Sequence, residues 1–220
     1  MASRLRIYSR LSLGALLLGA ATLAPAATLE AMVADEAGQP MADAVVVAVP
    51  RFAHRAPPPR PEIVEQVGKE FVPRINVVLA GTAVSFPNRD EVKHHVYSFS
   101  LAKKFEIQLY QGTPASPVVL DRPGLVVLGC NIHDWMAAYI YVSESPFFAK
   151  TDAGGRARLL NLPAGAYDVR VWHPASQAAE TETRRGMTIS EPSAHVAWQI
   201  KSRAEARIRR APVAGSGGYR

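Results

Sequence analysis

The sequence of 220 residues contains a single cysteine, Cys130. One thiol forms no disulfide within the chain, which excludes small folds that depend on disulfides for their stability. The thiol is therefore a buried inert side chain, a link to another chain or a thiolate that binds a metal ion. The residues around Cys130 decide between these alternatives.

The sequence also lacks an apolar run long enough to cross a membrane, which takes roughly 20 residues. Its N-terminal uncharged run, residues 11–23, is shorter than this, follows Arg4, Arg6 and Arg10, and precedes an Ala-Pro-Ala sequence. This pattern is typical of a secretory signal peptide. We predict that residues 1–26 are cleaved and that the protein is exported to the periplasm, the alternative being an uncleaved membrane anchor.

The net positive charge of the sequence comes from the two ends of the chain. The formal net charge is +6, but three arginines lie in the predicted signal peptide, which leaves +3 for the mature chain. Residues 201–220 contain six basic residues and only one acidic residue, so residues 27–200 carry a net charge of −2. This balance excludes a basic body that binds nucleic acid. We expect residues 201–220 to be a disordered tail, with at most weak contact with an anionic surface.

No segment after the signal peptide has a sustained helical stripe of apolar residues. Short runs of β-branched and aromatic residues instead alternate with clusters of Gly, Pro, Asn and Asp, which predicts an all-β protein. The predicted strands are residues 28–34, 43–49, 74–80, 82–86, 95–100, 125–129, 137–142, 156–160 and 166–172.

Two distant parts of the sequence look like halves of one small domain. Residues 29–49 and 151–171 each contain strand patterns around a Gly-containing turn. They resemble the opening and closing portions of a carboxypeptidase regulatory-like β-sandwich, which has an Ig/transthyretin-like fold. Isolated hairpins are marginally stable in water, so we predict that residues 27–50 and 147–200 pack together as one sandwich.

The intervening chain is predicted to be a second domain. Residues 51–61 are rich in proline, show no strand pattern and are predicted to be an extended linker. Residues 62–146 would then form a second β-sandwich, inserted into the first. The alternative is a central domain between two unrelated β-rich ends.

The loop that contains the cysteine also contains other soft metal ligands. Residues 130–136, Cys-Asn-Ile-His-Asp-Trp-Met, lie between the predicted strands 125–129 and 137–142. A loop of this length brings the thiolate of Cys130, the imidazole of His133 and the thioether of Met136 around a common centre.

A fourth ligand is available at the start of another predicted strand, where His94 and His95 are adjacent. Two histidines, a cysteine and a weak axial methionine form the ligand set of blue-copper sites. Successive residues of a strand point to opposite faces, so only one of the two histidines easily faces the site.

Three other interpretations of the loop stay open. Cys130 is then a buried structural thiol, a ligand in a zinc site that leaves Met136 unused, or a nucleophile with His133 as its base and Asp134 completing a triad. The third is disfavoured because two residues of one tight turn leave little room for a substrate and because no oxyanion-hole motif is present.

The spacing of Phe86, Asn88 and His94, followed by the distant Cys-x2-His-x2-Met loop, resembles the cupredoxin family, and most of all amicyanin and plastocyanin. The resemblance covers about 85 residues. It implies a Greek-key β-sandwich in which His94, Cys130, His133 and Met136 hold one copper ion. One departure concerns the residue after the first ligand, which is usually Asn in these families and is His95 here.

The resemblance implies an exported blue copper protein that carries single electrons to and from redox protein partners and is not an enzyme. Two alternatives from other classes remain: a copper-binding or copper-delivery protein without an electron-transfer role, and an adhesion module that binds no metal.

Overall fold

The computed structural model describes residues 26–190 and 192–203. The predicted signal peptide and most of the basic tail lie outside these residues. In the part of the chain that is described, the strands are β1 (Ala27–Asp35), β2 (Val45–Pro50), β3 (Glu62–Ile63), β4 (Glu65–Val67), β5 (Glu70–Val72), β6 (Ile75–Leu79), β7 (Thr82–Ser85), β8 (His94–Phe99), β9 (Lys104–Tyr110), β10 (Val118–Leu120), β11 (Gly124–Gly129), β12 (Ala137–Ser143), β13 (Phe147–Lys150), β14 (Arg156–Leu162), β15 (Gly165–Trp172), β16 (Arg185–Ile189) and β17 (Ser193–Ile200).

The described residues contain one helix, α1 (Glu180–Thr183), which is a single turn. No helix in these residues is both long and apolar enough to cross a membrane. Because the described residues form seventeen strands and this one helical turn, the prediction of an all-β fold is confirmed.

The first and last parts of the described residues form one sandwich, which we call the outer sandwich. One of its sheets has the strand order β14-β1-β17 and the other has the order β13-β2-β15-β16. Strand β1 pairs antiparallel with β14 and parallel with β17, so the first and last strands of the described residues lie in the same sheet. The two sheets enclose a single apolar core, whose largest fully buried side chains are Leu29, Val33, Leu159, Leu162, Tyr167 and Ile189.

One turn brings the distant halves of the outer sandwich into direct contact. The carboxylate of Asp152 accepts hydrogen bonds from the backbone of Gly154 and Arg156 at 2.8 and 2.9 Å and so fixes the turn between β13 and β14. Gly155 follows with a φ of +73°, and its carbonyl accepts a hydrogen bond from the backbone of Val33 at 2.8 Å. A side chain at Gly155 would lie 2.4 Å from the Val33 carbonyl oxygen, so this contact requires glycine.

The central part of the chain forms a second sandwich, which we call the inner sandwich. Its larger sheet has the strand order β6-β12-β11-β8-β9, and its smaller sheet has the order β10-β7-β3. Both sheets contribute to a core that contains Phe86, Val96, Leu120, Leu128 and Ile140. In the sequence, the strands of the inner sandwich lie between β2 and β13 of the outer one. The predicted division into domains and the carboxypeptidase regulatory-like assignment stay predictions.

A third apolar cluster joins the two sandwiches. Val45 and Val47 of β2 pack against Ile75 of β6 and Tyr141 of β12. The Tyr141 hydroxyl also accepts a hydrogen bond from Arg170 of β15 at 3.2 Å. Strands of both sandwiches therefore share buried contacts.

The proline-rich residues 51–61 contain neither helix nor strand. Their first residues nevertheless contact the outer sandwich. Phe52 packs edge-on against Tyr167, with 5.4 Å between ring centroids, and Arg51 pairs with Asp168 at 2.5 Å. This ion pair lowers the pKa of Asp168 through the hydrogen bond from Arg51.

Replacing Gly155 with alanine tests the contact between the two halves of the outer sandwich. Gly38 is the matched control, because its φ is also positive, at +78°, but a side chain there would meet nothing within 4 Å. Gly38→Ala should lower the free energy of unfolding by about 1 kcal/mol, the cost of a left-handed backbone for alanine. Gly155→Ala should lower it by roughly 1 to 3 kcal/mol more because of the clash. Urea unfolding measures both, and equal losses would contradict the role given to Gly155.

Candidate metal centre

Two neighbouring strands bring the candidate ligands to one end of the inner sandwich. Strand β11 pairs antiparallel with β8, where Gly129 is the register partner of Tyr97. Strand β11 ends at Gly129, directly before Cys130, and β8 begins at His94. Because the strands are antiparallel, the end of β11 and the start of β8 lie at the same edge of the sheet.

The loop between β11 and β12 is closed at its base and held by its own backbone. Gly129 is opposite Ala137, so residues 130–136 form the whole connection. The backbone of Met136 donates a hydrogen bond to the carbonyl of His133 at 2.9 Å. This turn folds the loop back on itself.

The structure brings three of the four predicted ligands together. The Sγ atom of Cys130 lies 3.9 Å from Nδ1 of His94 and 3.8 Å from Nδ1 of His133. A ligand atom from each of the three residues lies within 4.8 Å of the other two. Residues from two distant segments of the chain thus form one cluster of donor atoms.

The distances between these atoms fit a common metal ion. With metal–sulfur and metal–nitrogen bonds of about 2.3 and 2.0 Å, sulfur and nitrogen stand roughly 3.7 Å apart at a trigonal centre and roughly 3.5 Å apart at a tetrahedral one. The observed sulfur-to-nitrogen distances of 3.8 and 3.9 Å are within a few tenths of an ångström of both values. A thiolate donor disfavours calcium, magnesium and manganese, which prefer oxygen ligands.

Met136 lies beside this cluster. Its side chain is 2% exposed, belongs to the same apolar cluster as Cys130 and lines the same cavity. The role of the Met136 thioether as an axial ligand stays a prediction.

His94 and His95 are both buried but face different partners. The exposed fractions are 0% and 6%, and the pairing of β8 with β9 shifts register between His94 and Val96. The Nε2 atom of His95 lies 2.9 Å from a carboxylate oxygen of Glu106 on β9, whereas Nδ1 of His94 faces Cys130. Glu106 therefore holds the imidazole of His95, and the imidazole of His94 is the one that faces the cysteine.

The loop before His94 is held by the side chain of Asn88. Its amide nitrogen donates to the carbonyls of Val92 and Tyr110 at 2.8 and 3.1 Å. Its amide oxygen accepts from the backbone of Asp90 at 2.9 Å. Asn88 is buried, so these bonds fix the path of the chain into β8.

Asp90 is a site residue that the sequence analysis did not identify. Its Oδ2 atom lies 2.7 Å from Nε2 of His94, four residues further along the chain. Burial raises the pKa of Asp90, but hydrogen bonds from the backbone of Lys69, from His94 and from the backbone of Gly68 outweigh it and leave the pKa lowered. An ionised carboxylate can only accept, so it favours the His94 tautomer in which Nε2–H donates this hydrogen bond and Nδ1 has a lone pair that can bind a metal.

The environment of His133 favours the form that binds metals. Burial lowers the pKa of His133, and the charges of His94 and Lys69 lower it further. A depressed pKa favours the neutral imidazole, which is the ligand form of histidine.

The geometry disfavours the alternative of a catalytic Cys/His pair. Cys130 is 3% exposed, and its sulfur faces two histidine nitrogens. Asp134 is exposed. A nucleophile needs access for its substrate, and this thiol has very little.

Comparisons with known proteins give a partial likeness. No protein-family model and no curated protein matches the sequence. Among solved structures, a copper-containing nitrite reductase from Thermus scotoductus SA-01 is 24% identical over 52% of this chain, with a TM-score of 0.37. This chain spans 28% of the length of that reductase.

Two further similar structures are small proteins. A purple cupredoxin from Nitrosopumilus maritimus is 21% identical over 37% of this chain and 96% of its own, with a TM-score of 0.32. A pseudoazurin from Methylobacterium extorquens AM1 is 17% identical over 39% of this chain and 76% of its own, with a TM-score of 0.33. Because these TM-scores are low, the case for a metal centre rests on this chain's own donor atoms.

The contact between Gly129 and Tyr97 gives a test of how the cysteine is positioned. A side chain at Gly129 would lie 2.6 Å from the Tyr97 ring. Gly129→Ala should therefore lower the free energy of unfolding by roughly 1 to 3 kcal/mol. The same change should cost less in a Tyr97→Ala background, where the ring is absent. Urea unfolding of the four metal-free proteins measures the coupling, and an equal cost in both backgrounds would show that the ring does not restrict this position.

Proposed function

We propose that this chain is an exported type 1 (blue) copper protein that carries single electrons between redox partners. The observation that supports the proposal best is the cluster of Cys130 Sγ, His94 Nδ1 and His133 Nδ1, with sulfur-to-nitrogen distances of 3.8 and 3.9 Å. A copper ion bound there supplies a one-electron couple between Cu(I) and Cu(II).

Each residue has a distinct part in holding one copper ion. Cys130 binds as a thiolate, and His94 and His133 bind through neutral imidazoles. Met136 is the weak axial ligand that tunes the reduction potential. Zinc, the main alternative metal, has no use for a buried thioether at this position.

Burial of the ligands favours a carrier over an enzyme. His94, Cys130 and Met136 are 0%, 3% and 2% exposed, so three of the four ligands are closed to solvent. His133 is the one that is partly exposed, beside the exposed Ile132. An electron can pass through a ligand at the surface, whereas a substrate needs an open coordination position.

The cellular setting in this proposal comes from the ends of the sequence and from the outer sandwich. The N-terminal signal pattern directs the protein to the periplasm, where a redox protein is its electron donor or acceptor. The outer sandwich serves as a docking module for protein or carbohydrate contact, and the basic tail adds weak contact with an anionic surface.

Adding copper(II) to the purified mature protein tests the proposal. The wild type should bind one equivalent and develop an intense visible absorption band with a matching electron paramagnetic resonance spectrum. Cys130→Ser should abolish the band, because the serine hydroxyl does not replace the thiolate. Met136→Leu is the matched variant that removes only the axial thioether, so it should keep the band and change the reduction potential.

Voltammetry and metal transfer separate the carrier from its rivals. A carrier should show reversible reduction and retain copper when challenged with a chelator. Ready loss of copper to the chelator would instead indicate copper delivery. A wild type that binds copper without the visible band, or that binds no copper, would contradict the electron-transfer proposal.

A further inference from the structure

A tight turn of the inner sandwich contacts both loops that carry the candidate ligands. Strands β4 and β5 pair antiparallel, with Val67 opposite Glu70, so Gly68 and Lys69 form a two-residue hairpin turn. Both have a positive φ, at +62° and +59°. This conformation is the one that two-residue hairpins favour. The turn is defined here as the 68–69 turn.

The 68–69 turn is bonded to the loop that carries His94. The backbone N–H groups of Gly68 and Lys69 donate to Oδ1 and Oδ2 of Asp90 at 2.6 and 2.8 Å. The same Oδ2 atom accepts the hydrogen bond from His94 at 2.7 Å. A single carboxylate therefore connects the turn with the imidazole.

The backbone adds to this connection. The N–H of Gln66 in β4 donates to the carbonyl of Pro87, and the N–H of Arg89 donates to the carbonyl of Gln66, both at 2.9 Å. Gln66 is fully buried. The hairpin of β4 and β5 is thus bonded to the loop before His94 on both sides of Asn88.

The same turn is also bonded to the loop that carries Cys130 and His133. The indole Nε1 of Trp135 donates to the carbonyl of Lys69 at 3.2 Å. The ring of Trp135 in turn packs against the ring of His133, with 5.2 Å between centroids. The N–H of Lys69 therefore faces one ligand loop and its C=O faces the other.

We propose that the 68–69 turn is a clamp that fixes the imidazoles of His94 and His133 relative to each other before a metal ion binds. This inference rests on the proposed function, in which both histidines are ligands. Asp90 and Trp135 are its positioning residues: the first orients His94 by a charged hydrogen bond, and the second orients His133 by ring packing.

The physical reason for a clamp is that the ligands come from separate segments. Residues 94 and 130 are joined by a long stretch of chain, so thermal motion of either loop changes the spacing of the donor atoms. A site held in its binding geometry loses less conformational entropy when the metal binds. Removing a partner that orients a metal ligand typically lowers metal affinity by about 10- to 100-fold.

Asp90→Asn and Trp135→Phe test the clamp from its two sides. Asparagine keeps the size of the side chain but loses the charge and one acceptor oxygen, and phenylalanine keeps a ring but loses the indole N–H. Each variant should lower copper affinity by about 10- to 100-fold in a competition titration. Asp121→Asn is the control, since this carboxylate pairs with Lys103 at the surface and should leave the affinity unchanged.

Hydrogen exchange in the metal-free protein gives a readout that does not depend on copper. By NMR, Asp90→Asn should speed exchange of the Trp135 indole N–H, although Asp90 does not belong to that loop. Trp135→Phe should likewise speed exchange of the His94 Nε2 proton. Circular dichroism and thermal unfolding of each variant show whether it is folded. This control excludes unfolding as the cause of a lower copper affinity.

The outcomes distinguish the clamp from the proposed function. If Asp90→Asn lowers affinity but leaves the Trp135 exchange unchanged, Asp90 acts on His94 alone and the clamp is overturned. If the wild type binds no copper while both exchange rates respond across the turn, the proposed function fails and the mechanical coupling stands. A protein with both Asp90→Asn and Trp135→Phe gives a further test. If its loss of binding free energy equals the sum of the two single losses, the two sides act independently, which also overturns the clamp.

Discussion

The candidate metal centre depends on the pairing of β11 with β8. Gly129 and Tyr97 are the register partners that join these strands, and this single contact places the residue after Gly129 beside the first residue of β8. A side chain at position 129 would lie 2.6 Å from the end of the Tyr97 ring, so the ring would have to move to admit any other residue. The contact between the thiol of Cys130 and the imidazole of His94 depends on this alignment of strands, whereas the contact with His133 is formed within one loop.

Much of the fold was predictable because strand patterns are local. All nine predicted strands are present, with ends that differ by at most a few residues. Eight observed strands were not predicted: β3, β4, β5, β9, β10, β13, β16 and β17. Of these, β9 and β17 show the alternation of polar and apolar residues that is typical of a strand. Strands β3, β4, β5 and β10 have only two or three residues, which is too short for a recognisable pattern.

The candidate site was predictable where its residues are close in sequence. Cys130 and His133 share one loop, and their spacing alone indicated a common centre. The family resemblance named His94 as the ligand instead of His95, and in the structure Glu106 of the neighbouring strand holds His95. The role of Asp90 could not be predicted from the sequence, because an acidic residue four positions before a histidine is common. The backbone groups that bond to Asp90 belong to the 68–69 turn, which is part of a separate hairpin.

The inner sandwich leaves and rejoins the outer one at neighbouring points. Strands β2 and β13 are antiparallel partners, and Ala48 at the exit lies opposite Phe147 at the return. To the outer sandwich, the entire inner sandwich is equivalent to one long hairpin loop, and loop closure costs little more as a loop lengthens. Such an arrangement lets a gene gain a whole module at a surface turn without redesign of the host, which accounts for a domain whose two halves are far apart in the sequence.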